Sequence, residues 1–220
     1  MADRRQEILD AAVDLADERG LDAVSMRAVA ERTGVTPMAL YPHVGSKAEL
    51  LDGMVERLVA NVTPAAPPPD QDWRERLRVI ARALRGLAHR HPWAAALLFS
   101  RPAVTPDAVR GVDLVYMALL DAGVPDAEVP RLERLVTTLV IGYAASEAGG
   151  RFGPGDLDPR ERRDLLRGQP LPAHRRIVRW LEAPVDWDAE FEADMDDLLH
   201  LIEIAAEPAP SPADRAGSPR

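Results

Sequence analysis

The reading of the chain turns on residues 33–51, TGVTPMALYPHVGSKAELL. Thr33-Gly34-Val35 reads as a tight turn with glycine where a positive φ is cheap. Thr36-Pro37 then opens a helix, a hydroxyl N-cap followed by proline at the first helical position. That helix is expected to close near Tyr41, because Pro42 disfavours helical geometry in the residue before it and has no N–H of its own. Ser46-Lys47-Ala48-Glu49 spells a capping box. It starts a further helix to about Ala60, with Leu50, Leu51, Met54, Val55 and Leu58 apolar.

Working back from the turn, Ser25 is a good N-cap for a helix to about Arg32 that carries Met26, Val29 and Ala30 inward. Before it, Ile8, Leu9, Ala12, Val13 and Ala16 recur as a buried helical stripe over about Arg4–Arg19, with Gly20 as the stop. Three helices with a tight turn between the second and third form the helix-turn-helix plan, whose third helix lies in the major groove. Thr36 then faces a phosphate or base edge, and Pro37 and Met38 offer apolar contact to a thymine methyl. Tyr41, His43 and Lys47 sit where they can hold the strands, and Arg27 in the first turn of the second helix is placed for a backbone phosphate. Lys47 is the only lysine of the chain. The bland readings are that Met38 belongs to the core of the small domain and Arg27 is a solvated surface charge.

These residues resemble the DNA-binding domain of the TetR family over roughly residues 4–60. The likeness rests on Gly34-Val35-Thr36, Leu40-Tyr41-Pro42-His43-Val44, Ser46-Lys47 and Glu49-Leu50-Leu51. It implies phosphate contacts for Tyr41, His43 and Lys47, and base reading by Thr36, Pro37 and Met38. The family more often has phenylalanine where Val44 stands, and Pro42 offers no donor. The resemblance further implies a homodimer built from the last two long helices, and an effector that shifts the helix at about Ser46–Ala60 to release the DNA.

Beyond residue 60 the sequence supplies the rest of an all-α architecture. The N-terminal three-helix helix-turn-helix domain (1–60) is followed by a Pro-rich linker (61–71), with prolines at 64 and 67–69. A helical effector-binding and dimerisation domain is expected over 72–206, and a disordered tail over 207–220. Its helices are expected at about Trp73–His91, a shorter one through Phe99, Pro106–Ala122, Pro130–Ala148, Arg160–Arg167, His174–Leu181 and Asp188–Ala206. Arg74, Arg78, Arg82 and Arg85 line one face of the first of these, expected to be solvated or, less simply, to meet the acidic first helix. Val136, Leu139, Val140 and Tyr143, and Phe191, Met195, Leu198, Ile202 and Ala205, form apolar stripes suited to an intrachain core or to the interface with a second copy, through about 130–148 and 188–206. Phe99, Tyr116, Met117, Thr137, Thr138, Tyr143 and Glu147 are the candidates for lining a small-molecule pocket, offering apolar surface and a few hydrogen-bonding groups.

Composition excludes several functions. The 220 residues hold no cysteine, so disulfides and thiol chemistry are absent. No apolar run approaches the ~20 residues of a membrane span, and the charged N-terminus lacks a signal-peptide core. A cytoplasmic protein without membrane partner, cofactor or metal is expected. No nucleophile–base pairing suggests an enzyme, and His89 and His91, two apart on a helix, do not pair as metal ligands. The net charge of -9 is unusual for a DNA binder. It keeps open an alternative, a helical protein-interaction adaptor that no longer binds DNA.

Overall fold

The computed structural model describes residues 2–62, 71–101, 104–152, 168 and 170–207. All regular structure among them is helical: α1 (Ala2–Arg19), α2 (Met26–Arg32), α3 (Pro37–Val44), α4 (Lys47–Val62), α5 (Trp73–Arg90), α6 (Ala94–Ser100), α7 (Pro106–Asp121), α8 (Val129–Ala148), α9 (Pro172–Leu181) and α10 (Trp187–Ala206). A single 3-10 turn at Leu21–Ala23 joins α1 to α2. Of the linker expected over 61–71, residues 61–62 belong to α4 and 63–70 lie outside the described residues, as do the helix expected over 160–167 and the tail expected over 207–220 from residue 208 on.

Local chemistry sets the boundaries in the first domain. Ser25 caps α2 by accepting from the Ala28 N–H at 3.1 Å. At the other end Val35 N–H donates to Ala30 C=O and Gly34 N–H to Glu31 C=O, a Schellman closure that needs a left-handed residue. Gly34 supplies it at φ +68°. Pro37 occupies the first turn of α3, as its fixed φ favours. Pro42, however, does not end that helix. The helix runs on to Val44 and closes on Gly45, whose N–H donates to Tyr41 C=O at 2.9 Å. A proline ring there forfeits only the bond to the Met38 carbonyl, on a residue open to water, while Leu40 and Val44 are buried on the opposite side. At α4 the capping box is half made. Glu49 N–H donates to the Ser46 hydroxyl, but that hydroxyl, not the Ser46 N–H, donates to the Glu49 carboxylate.

Two cores follow. One gathers α1–α4 around Ile8, Leu9, Leu40, Leu50 and Met54. The other gathers α5, α7, α8 and α10 around Leu77, Leu119, Leu132, Val140, Phe191 and Met195. Helix α4 packs against α1 on one side and α5, α6 and α7 on the other, and Leu87 and Ala94 enter the first core. The apolar stripes of α8 and α10 are mostly intrachain core: Val136, Val140, Tyr143, Phe191, Met195, Leu198 and Ile202 are all buried. What remains exposed is a second, narrower set: Leu135 and Thr138 on α8, Leu201 and Ile204 on α10.

The arginine face of α5 is partly solvated, Arg82 most openly, but it is paired along its length and turned to α10, not to α1. Arg74 donates to Glu203, Arg78 to Asp196 and Arg82 to Glu192, all on α10, and Arg85 reaches Asp188 at the head of that helix. The pairs run in opposite order along the two helices, so α5 and α10 are antiparallel and joined by an ion ladder. Within the first domain the acids of α1 are also in use. Asp10 pairs with Arg57 and Glu18 with Arg32.

Candidate nucleic-acid interface

The residues singled out around the turn all reach the surface together. Leu40 and Val44 anchor α3 inward, which turns the remaining positions of this eight-residue helix outward. Thr36 and Pro37 are exposed at its start, and the Thr36 hydroxyl makes no cap bond, so it remains available to an external partner. Met38 is 74% exposed and therefore no part of the domain core; Tyr41 is 46% exposed. His43 is half-buried at the last turn, and Lys47 stands exposed in the first turn of α4. Arg27 is exposed in the first turn of α2. Neither Arg27 nor Lys47 has a carboxylate partner among the described residues. The first turns of α2, α3 and α4 leave backbone N–H groups unpaired within their helices, and that end of a helix favours an anion.

An open groove of about 450 Å³ lies behind this face, between the α3–α4 corner and the start of α7. Arg5, Tyr41, His43, Asp52 and Val104 line it. No sequence signal marked it, since it arises where two domains meet.

The seven candidates for a small-molecule site are not gathered in one place. Tyr143 and Glu147 share a cluster at the α5–α8–α10 junction. Glu147 accepts both donors of Arg85 at 2.7 Å, and His89 Nε2 lies 2.8 Å from it. Arg85 holds the Glu147 carboxyl below its ordinary range. Arg85 itself is 9% exposed, with its guanidinium over the Phe191 ring. The Tyr143 hydroxyl donates to Trp187 C=O at 3.2 Å, its ring meets Phe152 and Phe191, and burial pushes its pKa up to about 12. Phe99, 60% exposed on α6, lies instead beside Gly142 of α8. The Thr137 hydroxyl is spent on its own helix, donating to Glu133 C=O, and Thr138 is exposed. Tyr116 packs on the second core and Met117 is exposed on α7. Arg85 and His89 were missed as partners of Glu147, because the contact spans some sixty residues of sequence and two helices. Among the described residues no group of three or more His, Asp or Glu is placed to hold a metal, and no helix is long and apolar enough to cross a membrane.

Comparison with known proteins settles the lineage. A family model described as bacterial regulatory proteins, tetR family, matches residues 8–54, and one described as tetracyclin repressor-like, C-terminal domain, matches residues 65–200. The chain belongs to the TetR family. The HTH-type transcriptional repressor DrrR1 of Streptomyces coeruleorubidus is 36% identical over 140 residues, 64% of this chain and 52% of that protein. The class A tetracycline repressor from transposon 1721 of Escherichia coli is 32% identical over 167 residues, 74% of each chain. The chain thus spans about half the length of DrrR1 but three quarters of the tetracycline repressor. Among solved structures, ActR of Streptomyces coelicolor in complex with actinorhodin superposes with a TM-score of 0.78 at 24% identity, covering 93% of this chain and 98% of that one. A possible TetR family transcriptional regulator of the same organism gives 0.73 at 29% identity, covering 91% and 98%. Members of the family are in general regulators, not enzymes.

Proposed function

We propose that this chain is a ligand-responsive transcriptional repressor that binds a palindromic operator as a homodimer and is released by a small-molecule effector in the cytoplasm. The observation that carries the reading is the joint exposure of Thr36, Pro37, Met38, Tyr41 and Lys47 on a helix-turn-helix whose anchors, Leu40 and Val44, are buried. Thr36, Pro37 and Met38 read base edges. Arg27, Tyr41, His43 and Lys47 hold phosphates, which fixes the register of α3 on the duplex. The domains divide as 1–60, 61–71 and 72–206, and the chain has no catalytic role.

The second copy docks on α8 and α10. Support comes from Leu135, Leu201 and Ile204, large apolar side chains left exposed on those two helices after the intrachain core is filled. A two-fold pair reads inverted half-sites spaced at about 34–36 Å or a multiple. Leu201→Glu with Ile204→Glu is expected to shift the protein to monomer in sedimentation velocity; an unchanged dimer would move the interface elsewhere.

The effector is held in the second domain, with Phe99, Tyr116, Met117, Thr137, Thr138, Tyr143 and Glu147 as the residues to probe. It acts by favouring the conformation that does not fit DNA. The deciding experiment titrates the protein against the intergenic DNA upstream of its own gene in moderate salt with nonspecific competitor. Retained binding to a palindrome, abolished by Tyr41→Ala with Lys47→Ala, supports repression. Absence of any retained DNA would favour the protein-interaction adaptor.

A further inference from the structure

The first domain has its own core, and α4 is the one helix that packs broadly on both sides of the boundary. Packing on α4 alone would leave rotation about that helix open. Two side-chain ties from opposite ends of α6 oppose that motion. At the C-terminal end Arg101 donates through Nε to Asp52 and through Nη2 to Ala48 C=O at 2.9 Å, both on α4. At the N-terminal end the corner His91-Pro92-Trp93 converges on one carboxylate of α1. Trp93 Nε1 donates to Asp17 Oδ1 at 2.6 Å, and His91 Nδ1 lies 2.7 and 3.0 Å from the two oxygens. Two donors on one carboxylate give a strong, directional contact. Pro92 stiffens the corner, the His91 and Trp93 rings meet edge to face, and Ala94 just beyond is fully buried in the first core.

We propose that Asp17, with Trp93 and His91, is a positioning site that fixes the attitude of the helix-turn-helix relative to the second domain. A tie to α4 alone fixes one line; a second tie to α1 removes rotation about it. Because Phe99 of the same short helix lies against α8, a displacement of α6 reaches α1 through this knot as well as α4 through Arg101. The consequence for DNA, though not the geometry, rests on the regulator reading.

The absence of cysteine makes the test clean. Donor and acceptor dyes are placed on Asp22→Cys and Asp126→Cys, both exposed, one in each domain, and intrachain distances are read on single molecules diluted with unlabelled protein. The parent is expected to give one narrow distribution. Asp17→Ala should broaden it, and Trp93→Phe should do so in part, since phenylalanine keeps the ring but removes the N–H. Operator affinity should fall about 2- to 30-fold. Unchanged width in both variants overturns the proposal. So does loss of amide protection across α1–α3, because the contact would then hold the fold and not its orientation. Failure of the unsubstituted chain to bind operator would count against the regulator reading alone, since the distances are read without DNA.

Discussion

Around α3, Arg27 and Lys47 stand exposed with no carboxylate partner among the described residues, whereas along α5 the arginines at 74, 78, 82 and 85 each meet an acid of α8 or α10. The difference resolves the apparent conflict between a net charge of -9 and a DNA-binding role. Much of the acid is committed within the protein, to the ladder and to the pairs that α1 makes with Arg32 and Arg57. What a phosphate meets is the local potential of the contacting face, not the sum over the chain. An unpaired cation loses only water and counterions on meeting DNA, while a paired one must first break its bond.

Breaking the buried end of the ladder should have the largest effect. Arg85→Ala leaves the Glu147 carboxylate, itself largely buried, without its main partner, and loss of one member of such a pair costs about 3–5 kcal/mol. A drop in melting temperature with operator affinity unchanged per folded molecule is expected; an unchanged melting temperature would deny the ladder any part in stability. Next comes the free face. Lys47→Ala with Tyr41→Ala should lower operator affinity about 100-fold for each half-site without moving the melting temperature, from two hydrogen bonds to phosphate lost in each subunit, the one from Lys47 charge-assisted. The slope of log K against log salt should fall by about 1.8, about 0.9 for the Lys47 of each subunit. An unchanged slope would place Lys47 off the phosphates.

How much of this was legible in the sequence depends on range. The recognition helix was, because its signals are local: Ser25, Gly34, Thr36-Pro37 and Ser46 each act within four residues. Pro42 misled, since its cost is local but its compensation, burial of Leu40 and Val44, is tertiary. The stripes on α8 and α10 could not be divided between core and interface, as both burials give the same periodicity; only the structure separates Val136 and Ile202, inside, from Leu135 and Ile204, outside. The ladder was illegible because its partners lie more than a hundred residues apart. The Asp17 knot was illegible for the same kind of reason, since Asp17 and Trp93 lie 76 residues apart.

A smaller effect is expected from acid. Arg85 lowers the Glu147 pKa in the folded state, so the stability this provides is present above the unfolded carboxyl value of about 4.3 and is lost as pH falls through the folded value. Melting temperature should therefore decline more steeply below about pH 4.3 in the parent than in Glu147→Gln. Equal slopes would show that other carboxyls govern the acid limb.

The smallest effect belongs to the outer rungs. Arg78→Glu sets like charges against Asp196, yet Asp196 is largely solvated, and exposed pairs contribute about 0–1 kcal/mol. Stability should change by no more than about 1 kcal/mol, with more of the loss at low salt than at high salt. Operator affinity should not move, because this arginine faces α10 and not the helix-turn-helix. A clear change in DNA binding would mean that the ladder transmits strain to α3, and the contrast between paired and free cations would then be a coupling and not a division of labour.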